Sequence, residues 1–284
     1  MRWKGQRQSS NVEDRRGRAG RMVKGGGKMS VMTVVIVIVI SVITGKNPLS
    51  LLQMVGGSQQ SNNSSSSVPA TQHSAADQQL AAFAKTILAS TEDAWTAEFK
   101  RRNSNYLAPG MVIFDGDVQS ACGVNSERTG PFYCPGDHKL YLALGFFNQL
   151  RRMGAPGDFA QAYVIAHEVG HHIQNITGTE KKMRQMQRKD PANANHYSVL
   201  LELQADCYAG VWAALSQQQK NWLETGDVEE GLKAAASIGD DTLQKNAGRR
   251  VNVESFTHGS SQQRVKWLKR GMSTGDIGQC DTFQ

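Results

Sequence analysis

Residues 167–171 read H-E-V-G-H, an H-E-x-x-H pattern. On an α-helix, residues four apart lie on one face with a rise of about 6 Å between them, so the imidazoles of His167 and His171 can reach one metal ion. Tetrahedral zinc binds imidazole nitrogen at roughly 2.0–2.1 Å. Glu168 directly follows the first histidine and is placed to act as a general base on water at the metal. The pattern therefore predicts a catalytic zinc site on a helix.

Start and stop signals place this motif inside a helix. Asp158, followed three residues later by Gln161, has the spacing of a capping box, and Gly157 precedes it as a chain breaker. Gly178 is a C-terminal stop signal. The motif then lies in the middle of a predicted buried helix, which is the context that the chemistry requires.

A short motif also arises by chance, so the zinc site needs a third ligand. The metzincin extension would require Gly and His where this chain has Gln174 and Thr177, which excludes that class. Further along, Glu202 and Asp206 are again four apart on one predicted helix. Glu202 would complete a ligand set of two histidines and one glutamate, and Asp206 would accept the other N–H of a zinc-bound imidazole. The alternative is a solvated pair of carboxylates on an amphipathic helix.

Several segments of the chain share their sequences with one family. They are residues 1–5, 11–15, 130–135, 167–172, 202–210 and 256–264. In these segments the chain resembles the bacterial putative neutral zinc metallopeptidase family, and the resemblance covers nearly all of the chain except a polar spacer. It implies an α+β fold of the zincin type, mainly helical with a small antiparallel sheet. It also implies one Zn²⁺ per chain and a protein or peptide substrate, but no particular substrate.

Residues 257–259 (Thr-His-Gly), followed by Arg264, are similar to a T-H-P…R segment of the membrane-type prenyl-protein and heat-shock zinc proteases. His258 at a helix N-terminus beside the cleft would hold the developing oxyanion, which makes it a second catalytic candidate after Glu168. A structural, hydrogen-bonded role is the alternative for His258. His172 lies off the helix face of the two ligand histidines and is expected either to support the ligands from behind or to pack against neighbouring residues.

The net charge of +7 on the 284 residues comes entirely from the beginning of the chain. Residues 1–28 hold nine Lys and Arg against two acidic residues, so the rest of the chain carries 23 residues of each sign. No basic stripe with interleaved aromatic residues follows. Nucleic-acid binding is therefore not expected.

Composition divides the chain into four parts. Residues 1–28 are basic and Gly-rich, which predicts a disordered tail. Residues 29–45 form an uncharged, largely β-branched run that is predicted to be a transmembrane signal anchor. Residues 46–76 are rich in Ser, Asn and Gln and predict a flexible polar linker. Residues 77–284 are then the zinc metallopeptidase domain.

A cleaved signal peptide is the competing interpretation of residues 29–45. No small-x-small cleavage pattern follows directly, and the charged region before the run is unusually long. With an uncleaved single helix, the positive-inside rule keeps the tail in the cytoplasm and exports the domain. We therefore expect a single-pass protein of the bacterial cytoplasmic membrane with its domain on the extracytoplasmic side. A soluble protein with a buried hydrophobic strand is the poorer alternative.

The four cysteines contain no C-x-x-C pair, which argues against a structural zinc site of four thiolates. The short loop between Cys122 and Cys134 favours one disulfide and leaves Cys207 to pair with Cys280. An exported location would permit this oxidation. Buried free thiols are the alternative.

The remaining pattern supplies a first helix and a sheet. Apolar residues at near-helical spacing predict a helix from residue 77 to about residue 102. Residues 111–114 and 139–144 read as strands. Either strand would serve as the cleft edge that binds a substrate backbone, or as sheet core.

These features predict a zinc-dependent endopeptidase in which Glu168 activates the attacking water. Two alternatives of other classes stay open: a non-enzymatic envelope binding protein on a zincin fold, and a zinc amidase that acts on the cell wall. The presence of Glu168 favours catalysis, because a purely structural site has no need of a general base.

Overall fold

The structure is a computed structural model, and it describes residues 1–17 and 73–284. These residues form one compact unit, and helices dominate it. The α-helices within these ranges are α1 (Ala75–Arg101), α2 (Gly145–Arg152), α3 (Asp158–Ile176), α4 (Thr179–Lys189), α5 (Ala194–Lys220), α6 (Asp227–Ser237), α7 (Asp240–Asn246) and α8 (Ser261–Thr274). The predicted mainly helical α+β class is confirmed.

The strands in these ranges are short. They are β1 (Val12–Asp14), β2 (Gly110–Phe114), β3 (Asp117–Ser120), β4 (Gly123–Ser126), β5 (Phe132–Cys134) and β6 (Lys139–Ala143). The main sheet has the order β1-β2-β6-β5, in which only β5 runs antiparallel to its neighbour, and β3 and β4 form a separate antiparallel hairpin. The predicted antiparallel sheet is therefore wrong for the main sheet, because β1 and β6 both run parallel to β2. Both strands predicted from sequence are interior strands. The edge of the sheet next to β6 is β5, which no sequence pattern had indicated.

Side-chain alternation along β2 and β6 gives the sheet two buried faces. One face joins the large core formed with the helices, and the other is covered by the β3–β4 hairpin through Val118. The helix-facing set is Met111, Ile113, Leu140 and Leu142, and the opposite set is Val112, Phe114, Tyr141 and Ala143. Because both faces are covered, these strands are continuous apolar runs, which is why the sequence reveals them.

Small residues allow α5 to approach two other helices closely. A Cβ atom on Gly170 of α3 would lie 3.0 Å from the backbone of Ala205, so α3 and α5 meet at this pair. A Cβ atom on Gly271 of α8 would lie 2.0 Å from the carbonyl oxygen of Cys207. Gly210 of α5 has a similarly close approach to α8. Helix α5 therefore packs closely against both α3, the helix of the H-E-x-x-H motif, and α8.

Two disulfides form, and they pair as predicted. Cys122–Cys134 joins the β3–β4 hairpin to the end of β5. Cys207–Cys280 joins α5 to the C-terminal segment. Each bond thus secures a segment next to the cleft described below.

The first 17 residues belong to the domain. Strand β1 pairs in parallel with β2, with Val12 opposite Met111. The α-amino group of Met1 lies 3.0 Å from an Asp158 carboxylate oxygen and 3.1 Å from one of Asp227. Burial alone would lower the pKa of this amino group, but hydrogen bonds to both aspartates raise it to about 10. The group is therefore charged at neutral pH and offsets part of the negative charge of this acidic cluster.

The same contacts replace the predicted capping box at the start of α3. Asp158 does not cap the helix, because its carboxylate binds the Met1 amino group and the N-cap residue is Gly157 with φ 122°. The free backbone N–H of Phe159 instead donates to Glu230 of α6 at 3.1 Å. The predicted helix start is correct, whereas the predicted capping box does not form.

The prediction of a disordered tail is wrong for residues 1–17. Basic residues of this segment find acidic partners in the domain, as Arg7 does with Glu92 (2.9 Å) and Asp93 (2.6 Å). The prediction of disorder considered only the composition of the segment itself. In the structure, the backbone of β1 is hydrogen-bonded to β2, a strand about 100 residues further along the chain that begins at Gly110. Because β1 and β2 share a sheet, residues 1–17 and 73–284 must lie on the same side of any membrane. A single crossing between them, with the tail in the cytoplasm and the domain outside, is incompatible with this fold.

Residues 18–72 lie outside the described residues, and so do the predicted anchor at 29–45 and most of the predicted linker at 46–76. Among the described helices, none is both long and apolar enough to cross a membrane. Helix α1 begins at Ala75, two residues before the predicted start of the domain.

The close contact between α5 and α8 predicts that Gly271→Ala destabilises the protein. The new methyl group would overlap the α5 backbone, so we expect a loss of about 1–3 kcal/mol or more in the free energy of unfolding, measured by urea denaturation. Gly145→Ala is the matched control, because a Cβ atom there meets nothing within 4 Å. Equal stability of the two variants would contradict the described packing.

The β1–β2 pair predicts that the chain on both sides of residues 18–72 faces the same compartment. Ser10 and Ser104 are exposed and lie on either side of it, and the native cysteines are all in disulfides. We expect Ser10→Cys and Ser104→Cys to react alike with a membrane-impermeant thiol reagent in intact spheroplasts, either both labelled or both protected. Labelling of only one would show that β1 does not join the sheet in cells.

Candidate metal centre

Three side chains predicted as ligands come together at the centre of the domain. His167 and His171 project from α3, and Glu202 projects from α5. The Nε2 atoms of the two histidines are 3.1 Å apart, and Glu202 carboxylate oxygens lie 3.1 Å from His167 Nε2 and 3.5 Å from His171 Nε2. A tetrahedral ion with bonds of about 2.0–2.1 Å separates its ligand atoms by roughly 3.3–3.4 Å. The arrangement therefore fits three corners of a zinc tetrahedron.

Asp206 supports the first histidine. Its carboxylate oxygen lies 2.9 Å from Nδ1 of His167, on the opposite side of the ring from Glu202. With Nδ1–H donating to Asp206, the neutral ring presents the Nε2 lone pair toward Glu202 and His171. The structure thus brings Asp206 to the position where the sequence placed it.

Arg264 of α8 was not identified as a site residue from the sequence, yet it completes this support. Its guanidinium donates to both Asp206 oxygens, at 2.8 and 2.9 Å, and lies 3.1 Å from the Tyr163 hydroxyl. Tyr163 in turn donates to Asp206 at 2.5 Å. Arg264 is only 2% exposed. Its spacing with Leu268 and Gly271 on the buried face of α8 is the signal that predicts an internal acidic partner.

A separate set of amides supports the second histidine. Nδ1 of His171 lies 2.9 Å from the side-chain oxygen of Gln174, one helical turn further along α3. The Gln174 amide nitrogen donates to Leu201 O at 2.6 Å and to Gln204 Oε1 at 3.1 Å. Gln204 then donates to the carbonyl oxygen of Cys280 at 3.0 Å. The two histidines are therefore oriented by different neighbours, and both rings present Nε2 to the same point.

The electrostatics of the cluster favour a cation. Burial alone would lower the pKa of His167, but the carboxylates of Asp206 and Glu202 outweigh it and hold that pKa well above its usual range. Burial would raise the pKa of Asp206, whereas Arg264 and His167 lower it to about 2. With neutral histidines, the carboxylates of Glu168, Glu202 and Asp206 and the guanidinium of Arg264 leave two negative charges. One divalent ion would neutralise them.

Glu168 lines the cleft beside the ligand atoms. It is 9% exposed, and among the described residues no N–H or O–H group donates to its carboxylate. The cleft has a volume of about 530 Å³ and is also lined by His258 and by the start of β5. A carboxylate with water access and no protein partner is suited to accept a proton.

The edge strand β5 is held over α3 by a small aromatic cluster. The Tyr133 hydroxyl lies 3.0 Å from Nδ1 of His172 and accepts a hydrogen bond from Asn175 at 2.9 Å. Nε2 of His172 donates to Leu107 O at 2.6 Å, and burial lowers the pKa of this histidine to about 4. His172 therefore fastens β5 to α3 and does not join the three ligand atoms.

His258 lies at the mouth of the cleft with a half-exposed side chain. It makes no hydrogen bond to the three ligand side chains in the described structure, and its polar partners are Asp240 and Thr257. Ser260 caps α8 directly after it, in a capping box with Gln263. The segment from His258 to Arg264 thus positions both residues, His258 at the cleft and Arg264 against Asp206.

Proteins with similar sequences occur in Escherichia coli and Mycobacterium tuberculosis. Over 292 aligned residues the chain is 44% identical to the uncharacterized protein YpfJ of Escherichia coli strain K12, an alignment covering 100% of this chain and 99% of that protein. It is 40% identical over 212 residues to the uncharacterized protein Rv2575 of Mycobacterium tuberculosis strain H37Rv, covering 71% of each. No solved structure matches the chain.

The family described as putative neutral zinc metallopeptidase matches residues 1–283. The match therefore includes the N-terminal strand as well as both motif helices. Together with the converging His and Glu side chains, this extent leads to one conclusion: the chain is a member of the putative neutral zinc metallopeptidase family.

Proposed function

We propose that the protein is a zinc-dependent endopeptidase. His167, His171 and Glu202 would hold the ion. The observation that carries this assignment is the 3.1–3.5 Å spacing of their ligand atoms, beside a Glu168 carboxylate to which no described residue donates a hydrogen bond. A zinc ion in this position would polarise a peptide carbonyl group and lower the pKa of a water molecule.

In this mechanism Glu168 transfers a proton. Its carboxylate takes a proton from the attacking water and later delivers it to the nitrogen of the leaving amine. Asp206 keeps the His167 ring in the tautomer that presents Nε2, and Gln174 does the same for His171. His258 is the candidate donor to the carbonyl oxygen as negative charge develops on it.

The free edge of β5 favours a peptide substrate. Strand β5 pairs only with β6 among the described strands, and the residues that lead into it line the cleft with His167 and His171. An extended peptide can add to such an edge through backbone hydrogen bonds. A cell-wall amide offers no extended strand of this kind, so this edge supports the peptidase over the amidase. Glu168 supports catalysis over a binding role.

We also propose that the domain acts outside the cytoplasm. The two disulfides support this location, because such bonds persist in oxidising compartments and are rare in the cytosol. Residues 1–17 would then be outside together with the rest of the domain. Membrane attachment through residues 29–45 would have to leave both flanking parts on that side.

Metal content tests the ligand set. We expect about one zinc per wild-type chain by atomic spectroscopy, and near-complete loss in Glu202→Ala because two imidazoles alone hold the ion weakly. Asp206→Asn should retain the site with about 10- to 100-fold weaker affinity. Glu180→Gln, a cleft residue paired with Arg184, serves as the control with unchanged zinc. Full zinc in Glu202→Ala would show that another residue is the third ligand.

Activity tests the role of Glu168. We expect Glu168→Gln to keep its zinc and to lose about 10²- to 10⁴-fold in hydrolysis of denatured casein, because the general base is gone. Peptidoglycan, offered in parallel, should not be cleaved. Unchanged casein hydrolysis in this variant would exclude the mechanism, and cleavage of peptidoglycan alone would favour the amidase.

A further inference from the structure

Asp240, the first residue of α7, organises the loop that carries His258. One oxygen of its carboxylate accepts the backbone N–H groups of Thr257 (2.8 Å), His258 (2.7 Å) and Gly259 (3.1 Å). The backbone N–H of Asp240 donates to Gly259 O at 2.9 Å. Four hydrogen bonds thus fix this loop to a single side chain and its own backbone.

The loop is also fixed from its other side. Gly259 has φ 97°, and a Cβ atom there would lie 3.2 Å from Leu203 of α5. The loop then passes directly into the capping box of α8. His258 therefore has a defined position relative to α5, which carries Glu202 and Asp206.

The second carboxylate oxygen of Asp240 faces the His258 ring. Nδ1 of His258 lies 3.3 Å from Asp240 Oδ1 and 3.0 Å from the Thr257 hydroxyl. A neutral imidazole carries one N–H, and with Nδ1–H directed at the carboxylate, Nε2 has only a lone pair. Nε2 becomes a hydrogen-bond donor when the ring is cationic.

The surrounding charges favour that cationic form. The hydrogen bond to Asp240 is the largest influence and raises the pKa of His258, while burial opposes it. Of the other charged groups that act on the ring, Glu202 raises the pKa and Arg264 lowers it. The net pKa lies above the ordinary value, so the ring stays protonated to higher pH than a free histidine.

We infer that Asp240 is a positioning residue that holds His258 at the cleft as an Nε2–H donor to the carbonyl oxygen of the substrate. This inference rests on the proposed peptidase function and assigns a new residue to it. The step involves no covalent change at His258: a hydrogen bond to the oxygen strengthens as that oxygen gains negative charge. Asp240 acts only through the histidine and the loop.

The test compares two neighbouring aspartates in the zinc-loaded full-length chain. Asp240→Asn keeps an oxygen that can accept the loop N–H groups but removes the charge beside the ring. Asp241→Asn is the matched control: Asp241 also fixes the start of α8, by accepting from Ser261 N at 2.7 Å, but has no contact with His258. Thermal unfolding of both variants reports any general loss of structure.

The pH dependence of casein hydrolysis is the first readout. A donor that must be protonated gives activity that falls as pH rises through its pKa. We expect Asp240→Asn to move this fall in kcat/KM to lower pH, with kcat reduced and KM little changed, and Asp241→Asn to leave it in place. His258→Ala should lose about 10²-fold in kcat, and adding Asp240→Asn to it should cause no further loss. An additive loss in the double variant would overturn the inference.

The second readout does not depend on activity. Proton NMR titration of the His258 ring, assigned by comparison with His258→Ala, should give a pKa above the ordinary histidine value that drops in Asp240→Asn and not in Asp241→Asn. Identical titration in all three proteins would overturn the inference even if casein is cleaved. A drop in Asp240→Asn without any casein hydrolysis would instead show that the ion pair exists and that the proposed function fails.

Discussion

The buried carboxylate of Asp206 is the interaction on which the site depends. It accepts hydrogen bonds from Tyr163 and His167 of α3 and from Arg264 of α8, while its own backbone belongs to α5. A buried carboxylate is costly unless it is paired and fully hydrogen-bonded, and here three partners satisfy it. The three helices must therefore keep one relative position. That requirement explains the small residues at their crossings, where Gly170 meets Ala205 and Gly271 meets Cys207.

The residues that orient the two histidines are different from the residues proposed to act on substrate. His167 is backed by an ion pair, and His171 is backed by two amides that end on the carbonyl of Cys280. The Cys207–Cys280 disulfide lies next to both supports, because Cys207 follows Asp206 in the chain. Glu168 and His258 line the cleft instead, Glu168 as a largely buried side chain and His258 as a half-exposed one. The residues proposed to act on substrate thus line the cleft, and the residues that orient the two histidines are almost fully buried.

Local sequence patterns predicted a large part of the site. Four-residue spacing on two helices identified His167, His171, Glu202 and Asp206, because i and i+4 share a face whatever surrounds the helix. The supporting residues Gln174, Asp240 and Arg264 were missed as site residues. Gln174 lies one helical turn after His171, but many side chains share that spacing without any contact. Asp240 and Arg264 act on partners at no fixed sequence spacing, such as the 58 positions between Asp206 and Arg264. A single sequence offers no periodicity from which such pairs can be read.

The sequence by itself predicted the first helix of the domain, the helices that carry the motifs, the interior strands, the favoured disulfide pairs and the four motif residues, since these follow from periodicity, from loop length and from the chemistry of single side chains. Only the tertiary structure decided that β5 forms the edge of the cleft and that residues 1–17 complete the sheet as β1. A strand of three residues has too few side chains to show alternation, and its backbone groups are satisfied only by a partner distant in sequence. Composition likewise predicted that the basic N-terminus is solvated, because it says nothing about distant partners. In the fold, the Met1 amino group and Arg7 pair with carboxylates of the domain.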